Sequence, residues 1–420
     1  MKQLVVRGGS PLYGEVEIEG AKNAALPILF ATLLADGTST IHRLPKIGDV
    51  QIAIDILRSM GAICSFPSSH TLNICTDRCF CQTKGILGCE KLRGSIYLLG
   101  AAIGRFGEAF CPFPGGCKLG VRPIDQHLKV LSALGADIAF EEGGIHAKAH
   151  TLSATTFTFD IASVGATING MLTATQAKGT TVLKNVAKEP HVKDVANLLN
   201  AFGAKIEGAG SDTIYIEGKT LLHGGEYTLI GDGMEAGTYM ILGAATGGGI
   251  TVKGICPKDL ESLVTVLREM GVEVSHTNHS IIVKGNDTLL PIRVKTGPHP
   301  QFPTDLHPPL VALLSACKGE SIVEETIWHD RFQYLEALTK MGLKTKRKDA
   351  TLMIEGGGRL RGAKVCATDL RGGAVALILA LMAKGESIIR QADYIFRGYE
   401  GIAEKCRSLG GDVWVEDYLA

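Results

Sequence analysis

The sequence predicts an α/β protein of two similar domains, each built from three units of about 70 residues. Two recurring glycine markers and a set of unusually apolar helices predict it. In the first marker a helical run ends in Leu, Met or Phe, then Gly, then a strand: ILRSMGAI, VLSALGAD, LLNAFGAK, VLREMGVE, ALTKMGLK and KCRSLGGD. Their glycines are Gly61, Gly135, Gly203, Gly271, Gly342 and Gly410, spaced 74, 68, 68, 71 and 68 residues apart. The second marker is an apolar helix followed by a glycine turn and a strand. It falls at Gly37, Gly107, Gly179, Gly248, Gly319 and Gly385, with spacings of 70, 72, 69, 71 and 66. Two markers out of phase with each other keep one period, the signature of internal repetition.

Each period then reads in order as strand, helix, strand, helix and a strand pair. The opening strands are the one ending at Ile18, Phe157–Ile161, Tyr227–Ile230 and Ile292–Thr296, and each leads into an apolar helix. Those helices (NAALPILFATLLA, INGMLTATQA, GTYMILGAAT, PPLVALLSAC, AVALILALMA) are hydrophobic all round, which predicts burial on every face. The second helix of each unit, as in DVQIAIDILRSM or LESLVTVLREM, is amphipathic and predicts one buried face. Each marker glycine supplies the left-handed residue that ends its helix. The break between the two groups of three falls near residues 229–231.

Composition narrows the function classes. Lys plus Arg is 43 and Asp plus Glu is 43, so the net charge is zero, which argues against bulk attraction to nucleic acid or acidic lipid. Glycine is high at 52 of 420 residues while proline is only 15, which predicts tight turns and close backbone packing rather than disorder. The opening segment reads as a strand and lacks the apolar core of a secretory leader, and no apolar run reaches membrane-spanning length. With 11 cysteines, an odd number, the expectation is a cytoplasmic protein with reduced thiols.

Polar residues gather where the apolar helices begin: Lys22-Asn23, Arg93-Gly94-Ser95, Ser163-Val164-Gly165, Asp232 with Glu235, Thr304-Asp305 and Asp369-Leu370-Arg371. Helix N-termini with nearby cations suit a phosphate or carboxylate ligand, although capping alone accounts for Ser, Thr, Asn and Asp there. The segment Pro112–Pro123 predicts a loop in which two glycines precede Cys117, with Lys118 and Arg122 close by; neighbouring cations make a thiol reactive. Cys75, Cys79, Cys81 and Cys89 are close in sequence but lack paired zinc spacing, so a zinc site is a weak expectation. Cys64, Cys317, Cys366 and Cys406 sit in apolar patterns and are expected in the core. His146, His150, His276 and His279 read as surface positions. Neither GxGxxG after a strand nor GxxxxGK[ST] is present, so a dinucleotide fold and a P-loop are unsupported.

The motifs resemble a known family almost end to end. GAKNAALPIL at Gly20–Leu29, LRGSIYLLG at Leu92–Gly100, PGGCKLGVRPIDQHL at Pro114–Leu128, SVGAT at Ser163–Thr167, the KEP turn at Lys188–Pro190 and EAGTY at Glu235–Tyr239 belong to it. So do FPTDLHP at Phe302–Pro308, ETIWHDRF at Glu325–Phe332, TDLRGG at Thr368–Gly373 and RGYEGI at Arg397–Ile402. Together they resemble the UDP-N-acetylglucosamine 1-carboxyvinyltransferases among the enolpyruvyl transferases. The PGGC loop distinguishes that branch from the sister enzymes acting on shikimate phosphate.

The resemblance implies two inside-out, barrel-like α/β domains, residues 22–229 with the catalytic loop and residues 1–21 with 230–420, and an active-site cleft that closes on substrate. It implies transfer of the enolpyruvyl group of phosphoenolpyruvate to the 3′-hydroxyl of UDP-N-acetylglucosamine with release of phosphate, by addition and elimination, without metal or cofactor. It places this step at the start of peptidoglycan precursor synthesis. The implied catalytic residues are Cys117 as acid, Asp305 as base, and Lys22 and Arg397. Lys22, Asn23, Arg122, Arg371 and Arg397 would bind phosphoenolpyruvate. Asn23, Arg93, Arg122, Pro123, Ile124, Asp125, Gln126, Ile161, Ala162, Ser163, Val164, Asp305 and Ile327 would line the nucleotide-sugar site, and Arg331 and Arg371 are second-tier candidates for the closed cleft. Cys117 would also be alkylated by the epoxide phosphonate fosfomycin. The chain departs from the family pattern at Gly48, at Gly233 after Asp232 and at Phe396 before Arg397.

Overall fold

The computed structural model describes residues 1–81, 86, 88–115, 123–219, 221–286 and 288–419. The chain divides into two compact units, one of residues 1–19 and 231–420 and one containing residues 20–115 and 123–230. It passes from one to the other at 19–20 and again at 230–231. Both units are mixed α/β.

In the unit of residues 20–230, one sheet is ordered Glu226–Thr228, Thr38–His42, Thr71–Cys75, Ile63–Ser68. A second is ordered Thr156–Thr158, Thr180–Lys184, Thr213–Glu217, Lys205–Glu207, and a third has three strands, Glu108–Pro112, Gly144–Lys148, Asp137–Glu141. In the other unit the sheets are ordered Glu273–His276, Ser280–Lys284, Gly249–Lys253, Tyr13–Glu17; then Arg293–Lys295, Glu320–Glu324, Thr351–Glu355, Lys344–Lys348; then Lys364–Cys366, Gly385–Arg390, Lys2–Gly8, Asp412–Asp417. Every four-stranded sheet joins one parallel pair to two antiparallel pairings. A parallel pair needs a crossover, and in three of these sheets one apolar helix supplies it: Val164–Ala174, His307–Leu314 and Leu370–Met382.

The N-terminal strand does not pair with its sequence neighbours. Lys2–Gly8 fills the middle of the last sheet, between Gly385–Arg390 and Asp412–Asp417. Tyr13–Glu17 lies parallel to Gly249–Lys253, and Glu226–Thr228 takes the matching place beside Thr38–His42. The two opening strands are thus exchanged relative to the helices that follow them.

The apolar helices are buried as their composition predicts. In helix Leu370–Met382 every residue from Leu370 to Leu381 is buried, and in helix His307–Leu314 all eight are. Gly100 lets helix Tyr97–Phe106 meet helix Val164–Ala174 at backbone distance: a Cβ there would stand 2.8 Å from the Asn169 carbonyl oxygen. All six glycines of the first marker have positive φ, between 88° and 104°. The second marker departs once: the left-handed residue after helix Gly233–Ala245 is Gly247, not Gly248. Gly248 is needed for another reason, since a Cβ on it would lie 1.8 Å from the Leu12 carbonyl oxygen.

Cys317 and Cys406 are core residues as expected, whereas Cys64 is half-buried and Cys366 is exposed. Cys366 ends the edge strand Lys364–Cys366, and strand alternation turns it outward while Val365 points in. No helix among the described residues is long and apolar enough to cross a membrane.

Candidate functional site

In the unit of residues 20–230, Lys22 opens helix Lys22–Ala31 without a side-chain cap before it. Its Nζ lies 2.7 Å from Oδ2 of Asp49, a buried carboxylate in the first turn of helix Gly48–Ser59. That helix's dipole favours the Asp49 anion, and the anion orients Lys22. Pro27 has no N–H to give the Asn23 carbonyl, which leaves that acceptor outside the helical ladder.

Gln126 joins two stretches of the expected nucleotide-sugar site. It donates to Asp160 Oδ2 at 2.8 Å and accepts from the Asp160 N–H at 3.0 Å, tying the turn at Pro123–Asp125 to Ile161–Val164. Ser163 caps helix Val164–Ala174, accepting from the Ala166 N–H at 3.4 Å. Beneath that turn His127 is buried, and its Nδ1 stands 2.8 Å from Asn169 Nδ2. Burial, reinforced by the Arg93 charge, lowers the His127 pKa to about 3, so the ring is neutral and Nδ1 accepts from the amide. A Cβ on Gly165 would approach the His127 ring to 2.6 Å, so the glycine of SVGAT is what allows this packing. Cys117, Lys118 and Arg122 lie outside the described residues.

In the other unit, Asp305 sits in a 3-10 turn, Thr304–Leu306, leading into helix His307–Leu314. Arg331 Nη2 is 2.6 Å from its Oδ1, and Arg371 Nη2 is 3.0 Å from its Oδ2. Burial by itself would raise this carboxyl's pKa. The two guanidiniums outweigh it and hold Asp305 far below the usual carboxylate range. Both arginines are buried, while Asp305 keeps 28% of its side chain exposed. Arg331 Nη1 also donates to Thr304 Oγ1 at 2.8 Å, and its Nε is buried without a hydrogen-bond partner among the described residues. Arg371 Nη1 donates to the Tyr399 hydroxyl at 2.7 Å. Gly398 packs on Leu370 so closely that a Cβ would stand 2.7 Å from its side chain. These contacts dock the Arg397–Tyr399 turn on the start of helix Leu370–Met382, beside Arg371.

The sequence expectation of anion-ready helix starts needs correction. Asp232 accepts from the N–H groups of Met234 and Glu235, and Asp369 from those of Arg371 and Gly372. Those two helix ends are occupied by the protein's own carboxylates. Arg93 opens a 3-10 turn, Arg93–Ile96, ahead of helix Tyr97–Phe106. The surface reading of His146 also changes: it bridges Glu108 and Glu141 across strands at 2.8 and 2.7 Å and is half-buried. His150, His276 and His279 are exposed. Among the described residues no group of three or more His, Cys, Asp or Glu is arranged to hold a metal ion. Burial raises the Cys79 pKa to about 11, assisted by Cys64, which makes it an unreactive thiol.

Several residues that matter to these contacts were not singled out by the sequence. Asp49, His127 and Tyr399 act through partners 27 to 42 residues away. His127, Tyr399, Glu325 and His307 lie inside recognised motifs, but nothing in their spacing shows which residues they meet.

A family model described as EPSP synthase (3-phosphoshikimate 1-carboxyvinyltransferase) matches residues 6–406. A UDP-N-acetylglucosamine 1-carboxyvinyltransferase 3 from Caldanaerobacter subterraneus subsp. tengcongensis is 46% identical over 98% of this chain and 99% of its own length. A UDP-N-acetylglucosamine 1-carboxyvinyltransferase from Clostridium botulinum is 47% identical with the same coverage. Among solved structures, the enolpyruvyl transferase NikO from Streptomyces tendae superposes with a TM-score of 0.89 at 25% identity, covering 99% of both chains. EPSP synthase from Acinetobacter baumannii shares the fold, with a TM-score of 0.79 at 18% identity over 99% of this chain and 100% of its own. With near-complete coverage in both directions, the chain belongs to the enolpyruvyl transferase family, in its UDP-N-acetylglucosamine 1-carboxyvinyltransferase branch.

Proposed function

We infer that the chain transfers the enolpyruvyl group of phosphoenolpyruvate to the 3′-hydroxyl of UDP-N-acetylglucosamine, releasing phosphate and making the first committed peptidoglycan precursor. The observation that carries this reading is nearly full-length identity of 45–47% to several enzymes of that name. The carboxylate–arginine site at Asp305 supports it.

The chemistry needs an acid for the methylene carbon, a base for a hydroxyl, and cations for a phosphate and a carboxylate. In our reading the Cys117 thiol gives its proton to C3 of phosphoenolpyruvate, and the sugar oxygen bonds to C2. The hydroxyl proton passes to Asp305. The resulting tetrahedral adduct then returns a proton from C3 to the Cys117 thiolate as the C2–O bond to phosphate breaks, which regenerates the double bond, and Asp305 passes the hydroxyl's proton to the departing phosphate. Lys22, Asn23, Arg122, Arg371 and Arg397 bind phosphoenolpyruvate. Arg93, Pro123–Gln126, Ile161–Val164 and Ile327 receive the nucleotide sugar.

The arginine pair explains how Asp305 is ionised and held in one orientation, but a carboxylate so paired is a weak base. A substrate phosphate or carboxylate arriving beside these guanidiniums would compete for their positive charge and so raise the basicity of Asp305. We also read the five four-stranded sheets and one three-stranded sheet formed by the described residues, which also form a two-stranded pair, as six copies of one unit, three per inside-out domain, with the apolar helices innermost. Every described cysteine is a free thiol, in keeping with a cytoplasmic setting.

The test is phosphate release and product mass with phosphoenolpyruvate and either UDP-N-acetylglucosamine or shikimate 3-phosphate. Turnover with the nucleotide sugar alone is expected. Turnover with shikimate 3-phosphate alone would overturn the acceptor assignment.

A further inference from the structure

Behind the Asp305 turn lies a polar network that the reaction itself does not use. At its centre is Glu325, at the end of strand Glu320–Glu324 and fully buried. Its carboxylate accepts five hydrogen bonds. Oε1 takes the Thr296 hydroxyl at 2.9 Å, the Ile327 N–H at 2.9 Å and the Trp328 N–H at 3.0 Å. Oε2 takes the Thr304 hydroxyl at 2.8 Å and His307 Nδ1 at 2.9 Å. The other ring nitrogen of His307 lies 3.0 Å from the Tyr334 hydroxyl, and both of those residues are also fully buried or nearly so.

The charges settle the protonation states. Burial would raise Glu325, but its hydrogen bond from His307 and the two backbone N–H groups lower it to about 2. Burial keeps His307 below its ordinary value, so the ring is neutral, with a proton on Nδ1 for Glu325 and a lone pair on Nε2 for Tyr334. Glu325 is therefore a permanent anion with every contact in place. A buried carboxylate costs several kcal/mol to desolvate, and so full an acceptor set is what makes one tolerable.

The network's outputs converge on the reacting end of the site. Thr304 Oγ1 gives its proton to Glu325 and so offers a lone pair to Arg331 Nη1, whose other nitrogen holds Asp305. The same carboxylate pins the backbone N–H of Ile327, a residue of the expected nucleotide-sugar site. We propose that Glu325 is the positioning residue of this centre, fixing Arg331 and Asp305 through Thr304 and the Ile327 backbone directly, so that base and acceptor hydroxyl share one frame. The proposal rests on the reading of Asp305 as the base.

A double-mutant cycle tests it, run with whichever acceptor the wild type turns over, so that a wrong acceptor and a wrong role for Glu325 are seen separately. Glu325→Gln keeps the shape and loses the charge. It should lower kcat on the order of 10²-fold, the penalty of a misplaced reacting group, while the KM for phosphoenolpyruvate changes little. On an Asp305→Asn background the same change should cost almost nothing further, because both act through one carboxylate. Thr304→Val cuts only the link to Arg331 and should reproduce most of the kcat loss; it carries the same cycle if Glu325→Gln fails to fold. Equal losses on the wild-type and Asp305→Asn backgrounds would reduce Glu325 to a structural residue and overturn the proposal, as would an unchanged kcat in a folded Glu325→Gln enzyme.

Discussion

Helices Val164–Ala174 and His307–Leu314 occupy the same place in their sheets, each crossing between the two strands of a parallel pair. Their starts are held in opposite ways. The first begins on the Ser163 hydroxyl and rests on the neutral pair His127–Asn169. The second begins between Asp305, Arg331, Arg371 and the Glu325 anion. The topology is common to both, so the difference lies in side chains alone. A neutral turn sets shape, whereas the charged turn holds an ionised carboxylate between two guanidiniums. The fold supplies several equivalent helix starts, and it concentrates buried, mutually paired charges at this one.

The largest expected effect is at the charged turn. Asp305→Asn preserves volume and should lower kcat by ~10²–10⁴, the range for loss of a general base, with the fold retained by circular dichroism. Near wild-type turnover would leave the charged turn with only a structural difference from its neutral counterpart.

Cys117→Asp comes next. A carboxyl can also carry a proton to carbon, so partial activity should remain, with an optimum displaced to acid because an unperturbed Asp titrates near ~3.9. Mass spectrometry should find the epoxide phosphonate on Cys117 of the wild type and on no residue of the variant. A stable adduct on another cysteine would reassign the acid.

Asp49→Asn probes the charged pair of the first unit. Losing the carboxylate that orients Lys22 should raise the KM for phosphoenolpyruvate about tenfold, the scale of one charged hydrogen bond, with less effect on kcat. A fall in KM would mean that Asp49 competes with phosphate for Lys22 instead of aiming it.

The smallest effects concern stability against pH, and here the units should differ in sign. His127 is lowered to about 3 from 6.5, so the folded state binds fewer protons. Its contribution is complete above the unfolded value and is lost as pH falls toward 3. Glu235 is raised to about 7 from 4.5 by burial, with Lys405 at 2.8 Å offsetting part of the cost. Its contribution is present below 4.5 and is lost as pH rises through 7. Urea unfolding from about pH 5 to about pH 8 should therefore show His127→Gln losing ground on the wild type as pH rises, and Glu235→Gln gaining. Parallel pH profiles for the two variants would remove this distinction.

Much of this was open to reading before any coordinates. Apolar helices, amphipathic helices and the glycines that end them are set by contacts three or four residues apart and by the φ each position needs. They therefore leave a local, periodic trace, and the trace repeats with the unit. Gly248 shows the limit of that trace: the glycine is required, but by the Leu12 backbone rather than by the turn. The motifs likewise marked Lys22, Ser163, Asp305, Arg371 and Arg397 one at a time. Tertiary structure alone decided which strand fills which sheet, since Lys2–Gly8 reaches the middle of a sheet made from the chain's far end. It alone brought Arg331 and Arg371, 26 and 66 residues away, onto one carboxylate, and Glu325 behind them. Such pairings depend on how buried charges find partners when the core closes, and a charge's partner is chosen by space rather than by spacing.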